Sequence, residues 1–134
     1  MKKLGLILLL HCVIFCKSQN LVPNGSFENY SNCPWMDGQI YFAIPWQNPS
    51  SGGTPDLWNG CSSACNVPLA YAGIQYALTG DGFVGLYTYN IIFQAVNIRE
   101  YIEVELLDSL KVNSWYCISF YCNLADVSDY GIDK

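Results

Sequence analysis

Asn32 to Pro68 carries no helical period. Pro34, Pro45, Pro49 and Pro55 punctuate it, Ser50-Ser51-Gly52-Gly53 adds a turn tract, and Trp35, Trp46 and Trp58 lie inside it. Proline removes a backbone donor and fixes φ, which bars helix interiors and the middle of a sheet. The sequence therefore predicts a long ordered loop holding at most one strand, over the apolar run Ile40 to Ile44. Loops of this length in compact domains are functional or covalently tied.

Around this loop the pattern is that of strands. Leu21-Val22 predicts a short one, followed by a turn at Pro23-Asn24-Gly25 with Gly25 free to take positive φ. Asp81-Gly82 is a turn signal before an alternating run, Phe83 to Tyr89. Glu100 to Leu106 alternates Ile102, Val104 and Leu106 against Tyr101, Glu103 and Glu105, one face buried and one wet. Trp115 to Leu124 has large residues on both faces and predicts a central strand, connected back through Asp108 to Asn113. No long amphipathic helix interrupts the series, so the expected fold class is an all-β sandwich.

The N-terminus defines where such a domain works. Lys2 and Lys3 precede an apolar run from Leu4 to Cys16, too short for a stable membrane anchor, and Cys16-Lys17-Ser18 offers small residues before a cut at Gln19. Residues 1–18 thus read as a secretory signal peptide and 19–134 as one domain. A lipoprotein signal does not fit, because Phe15 precedes Cys16 and His11 precedes Cys12. Cleavage leaves Arg99, Lys111 and Lys134 against eleven acids, a formal charge of −8. That charge argues against nucleic acid and anionic membrane surfaces as partners, and no later stretch could span a bilayer. Cleavage also discards His11, the sole histidine. Without it the chain has no Ser-His or Cys-His nucleophile pair and no histidine zinc ligand.

Five cysteines stay: Cys33, Cys61, Cys65, Cys117 and Cys122. Export makes disulfides the default reading. Cys33 and Cys61, both in loop sequence, are the first pairing; Cys61 with Cys65 would instead close a small loop. Cys117 and Cys122 fall on opposite faces of their strand and should not bond to each other. A zinc-thiolate site of Cys61, Cys65, Cys117 and Cys122 is the sharper alternative, disfavoured by that geometry.

Several segments together resemble a known family. They are N-L-V-P-N-G-S-F-E (Asn20 to Glu28), T-P-D-L-W-N (Thr54 to Asn59), the Gly-x-Gln with alanines (Gly73 to Ala77), T-G-D-G-F-V-G-L-Y (Thr79 to Tyr87), R-E-Y-I-E-V-E-L (Arg99 to Leu106) and Y-C-I-S-F-Y-C-N-L-A-D (Tyr116 to Asp126). In order and spacing this set is similar to the N-terminal galactose-binding-like β-sandwich of Bacteroidetes secreted and surface proteins. That domain stands ahead of OmpA-like or type IX secretion sorting domains. The resemblance implies a jelly-roll module of the carbohydrate-binding type, incomplete at its C-terminus because such domains continue past Tyr130 to Asp133. It also implies a structural calcium held by Glu28 and a late aspartate, for which Asp133 is the candidate in this chain. Calcium takes hard oxygen ligands of this kind.

Trp35, Trp46 and Trp58, with Asp56 and Asn59, are the candidate glycan-binding residues. Aromatic rings stack on sugar C–H faces while amides and carboxylates read hydroxyls. The competing role for the tryptophans is to cap the core beneath the loop. Glu103 and Glu105, ~7 Å apart by strand rise, match an inverting glycosidase only in spacing, since both lie on one strand face. The sequence thus predicts a non-catalytic envelope or secreted module that binds glycan. The alternative is a structural or adhesive spacer of a surface protein, and a hydrolase ranks last.

Overall fold

The structure is a computed structural model that describes residues 19–88 and 99–128. Among the described residues four short strands form two antiparallel pairs. β1 (Asp56–Asn59) pairs with β4 (Gly82–Gly85), and β2 (Leu69–Ala70) pairs with β3 (Gly73–Ile74). The only helical element among the described residues is a 3-10 turn, Ile40–Phe42. The fold is therefore β in character, with long ordered loops between short ladders.

β1 is buried along its whole length and separates two apolar clusters. Alternation sends Leu57 to one face and Trp58 to the other. Leu57 joins Ile40, Phe42 and Ala43, with Phe27, Tyr30, Trp46, Val84 and Ile102 packed around them. Trp58 joins Cys65 and Ala72, with Val67, Ala70 and Phe83 alongside. The register places Val84 beside Leu57 and Phe83 beside Trp58, so each cross-strand pair serves one cluster. Gly85 stands opposite Asp56, and a Cβ there would lie 3.3 Å from Cη2 of Trp58. The missing side chain lets the indole lie across β4.

Several expected strands resolve differently. Leu21-Val22 is not a strand: the Val22 amide turns back to Asn20 Oδ1 at 3.0 Å. In the following turn, Asn24 and Phe27 take positive φ, 46° and 61°, while Gly25 does not. Asn24 tolerates that conformation because its side chain is fully engaged. It donates to the Asn29 and Ile44 carbonyls at 2.8 Å each and accepts from the Asn29 amide at 3.0 Å. The apolar run Ile40 to Ile44 gives the 3-10 turn and then one bridge, Tyr30 to Ala43. The Phe83 strand is shorter than predicted and starts at Gly82; Tyr89 lies outside the described residues.

Glu100 to Leu106 keeps its predicted alternation through Val104, with Ile102 and Val104 half-buried, but Leu106, expected on the same inward face, is exposed, and the ladder does not form. Gln47 and Glu103 exchange both backbone hydrogen bonds, at 3.0 and 2.9 Å, as an isolated bridge. In that register the next hydrogen-bonded pairs would set Pro45 against Glu105 and Pro49 against Tyr101. Both prolines lack the amide required, so pairing stops after one step. Trp115 to Leu124, expected as a central strand, has no ladder partner among the described residues. It runs without turn or bend, and Trp115 is fully exposed. The predicted signal peptide (1–18) and Tyr130 to Asp133 lie outside the described residues.

Candidate functional site

T-P-D-L-W-N folds as β1 with its aspartate inside. Asp56 is 4 % exposed. Its Oδ1 accepts from the Gly38 amide at 2.6 Å, and its Oδ2 accepts from the Tyr71 hydroxyl at 3.4 Å. The Tyr71 hydroxyl also lies 3.3 Å from that of Tyr87. Both tyrosine rings are about half exposed, so two phenols converge from the surface onto a buried carboxyl. Tyr71 occupies the turn between β2 and β3 and stands edge-on to Trp58, 5.5 Å between ring centres. Tyr87 follows β4.

Glu100, also buried, fixes the far side of this site. Its Oε1 accepts from the Thr54 amide and its Oε2 from the Tyr87 amide, both at 2.8 Å, and its own amide donates to the Tyr87 carbonyl at 2.8 Å. Gly53 passes so close that a Cβ would fall 2.7 Å from Glu100 Cγ.

Burial is the main cause that pushes the Asp56 pKa up to about 6; the negative charges of Asp37 and Glu100 add to it, while the Gly38 and Tyr71 hydrogen bonds oppose it. Burial, the Tyr87 hydroxyl and the nearby acids push Tyr71 upward as well. Cys65 rises to about 11, first by burial and then by the charges of Asp37 and Asp56. Its thiol faces Asp37 Oδ1 at 4.0 Å. A thiol so placed stays protonated and is a poor nucleophile.

The structure separates the sequence candidates. Trp35 is exposed, resting on Phe42 at 5.0 Å between ring centres. Trp46 turns inward, donating its indole N–H to the Asn24 carbonyl at 2.9 Å and packing on Phe27. Trp58 is buried between Tyr71 and Phe83. Asn59 is buried too, and its Oδ1 caps the Cys61 amide at 3.0 Å. Of the five ligand candidates, Asp56 alone belongs to the tyrosine site, and Trp35 alone offers a ring face to solvent. Tyr71 and Tyr87 were missed. Tyr87 ends the T-G-D-G-F-V-G-L-Y segment and Tyr71 falls just before the Gly-x-Gln segment, but nothing in their spacing shows that the hydroxyls meet.

Cys33 and Cys61 are joined as a disulfide, Cα atoms 6.0 Å apart, while Cys65, Cys117 and Cys122 are free thiols. Glu28 Oε1 accepts from the Asp81 and Gly82 amides at 2.9 and 2.7 Å and so clasps the turn before β4. Among the described residues no group of three His, Cys, Asp or Glu side chains gathers as a metal site. Asp133, the other expected calcium ligand, lies outside the described residues. Charge-assisted bonds to backbone amides are the strong kind. Glu28→Ala should therefore cost about 2 kcal/mol in chemical denaturation after allowance for its exposure, and Glu28→Gln less than half of that.

Among the described residues no helix is long and apolar enough to cross a membrane. Compared with protein-family models, curated proteins and solved structures, the chain matches none.

Proposed function

We propose that the protein is a non-catalytic module of the cell envelope or cell exterior, a jelly-roll β-sandwich that binds a neutral glycan at the Tyr71–Tyr87 face. The observation that carries this reading is the pair of half-exposed phenols, hydroxyls 3.3 Å apart, backed by the buried carboxyl of Asp56. Tyrosine offers an apolar ring for a sugar's C–H face and a hydroxyl for its polar edge. A buried acid behind the rings orients those hydroxyls, as sparse polar groups do in small-molecule sites. Trp35, exposed on the loop whose Gly38 amide reaches Asp56, supplies a second stacking surface. The signal-peptide sequence and the Cys33–Cys61 disulfide support export.

Binding to a panel of soluble polysaccharides, followed by calorimetry on the best ligand, tests the reading. Tyr71→Phe and Tyr87→Phe keep the rings and remove the hydroxyls. Each should weaken binding about tenfold, roughly 1.4 kcal/mol; Tyr87→Phe should leave the melting curve unchanged, while Tyr71→Phe lowers it, because the buried Asp56 carboxyl loses a partner. No binding across the panel, or equal binding by both variants, would instead favour a structural spacer.

A further inference from the structure

Asp56 is the point where four separate segments meet. The Gly38 amide comes from the loop after Cys33, Asp56 itself begins β1, the Tyr71 hydroxyl comes from the β2–β3 turn, and the Tyr87 hydroxyl closes the chain of contacts after β4. The groups facing it are acidic or neutral: Asp37 on the Gly38 loop, Glu100 across the site, the Tyr71 and Tyr87 phenols, and the protonated Cys65 thiol. Glu100 is already engaged by the Thr54 and Tyr87 amides, and its charge opposes ionisation of Asp56. A second carboxylate charge at this junction is thus poorly accommodated, whereas a neutral carboxyl keeps one oxygen for Gly38 and gains a hydroxyl to donate to Tyr71.

We propose that Asp56 is a proton-operated clasp, which takes up a proton in mildly acidic surroundings and thereby tightens the junction of the Gly38 loop, β1 and the two tyrosines. The inference does not rest on the identity of any ligand. Its sign follows from burial. The folded carboxyl holds its proton up to about pH 6, against 3.8 for an ordinary aspartate. Between those pH values the folded state binds more protons than the unfolded one. This group's stabilisation is therefore full at low pH and lost as pH rises through that window.

Thermal melts of the whole protein from pH 4.5 to 7.5, together with carboxyl 13C NMR of Asp56, test the clasp. Asp56→Asn carries a neutral side chain with the same acceptor for Gly38 and a donor for Tyr71. Its melting advantage over the wild type should be smallest at pH 4.5 and grow to ~5 °C or more by pH 7.5. The Asp56 carboxyl should titrate near pH 6 in the wild type, and lower in Asp37→Asn, which removes one neighbouring charge and still reports if Asp56→Asn does not fold. A wild-type midpoint at or below pH 4, a midpoint unmoved by Asp37→Asn, or a melting difference that does not change with pH would each overturn the proposal.

Discussion

Removing the Cys33–Cys61 bridge by the double substitution Cys33→Ser/Cys61→Ser is expected to lower the unfolding free energy by ~3–4 kcal/mol. The bridge closes a loop spanning 28 residues, and the chain-entropy estimate for a loop of that size gives this figure. The loop contains the whole irregular region that the prolines keep out of regular structure, from Pro34 to Pro55. Little else constrains that region in the unfolded chain. In the folded chain the bridge fastens the Gln39 turn to the end of β1. Gln39 Oε1 collects the Trp35 and Met36 amides at 2.8 and 3.2 Å, and the Gly38 amide holds Asp56. Among the described residues the ladders are short, four and two residue pairs, so a covalent closure of this loop adds a tie that backbone pairing does not supply. Equilibrium urea denaturation of the double variant, alongside the wild type with and without reductant, measures the effect. Reductant should bring the wild type to the variant's midpoint and leave the variant unchanged. A loss below ~1 kcal/mol would show that the unfolded chain is already compact across this loop.

Leu57→Ala is expected to cost about 3 kcal/mol, within the usual range for a fully buried leucine. Leu57 is wholly buried at the centre of β1 and touches the cluster formed by the 3-10 turn, Ala43 and Val84. Ile40 and Ala43 sit on a turn pinned from both sides, through the Ile40 amide to the Pro55 carbonyl and the Ser31 amide to the Phe42 carbonyl, at 3.1 and 2.9 Å. Those anchors hinder collapse into the space left by the lost side chain, which keeps the cavity term large. Urea midpoints of Leu57→Ala and Trp115→Ala give the comparison. Trp115 is fully exposed and its truncation should change stability by less than ~0.5 kcal/mol.

Part of this was legible in the sequence, and the reasons differ by residue. The proline-rich tract could not be helix or central strand, and the loop disulfide followed from two cysteines flanking it. The alternation of Glu100 to Leu106 gave the inward face for Ile102 and Val104 but not for Leu106, which is exposed. The extent of pairing was not legible, because it depends on which residue stands opposite. Pro45 and Pro49 end the Glu103 bridge from a different part of the chain. In the sequence Asp56 reads as a loop residue and a candidate glycan contact beside the tryptophans. Only the three-dimensional convergence of Gly38, Tyr71 and Glu100 shows it as a buried junction. The tryptophans divided by local contacts that a spacing pattern does not encode, such as the Asn24 carbonyl that captures the Trp46 indole.

Glu28, Glu100 and Asp56 share one habit: each turns at least one carboxylate oxygen to a main-chain N–H group, as does Asp126, whose Oδ2 takes the Ile74 amide at 2.8 Å. In many domains lysine and arginine would do this neutralising, and here they are scarce, six in the whole chain against eleven acids. Cross-linking by carboxylate and peptide amide leaves a net negative charge uncompensated. Copies of such a molecule repel one another in dilute salt, so the bonding that holds each molecule together also keeps neighbouring molecules apart.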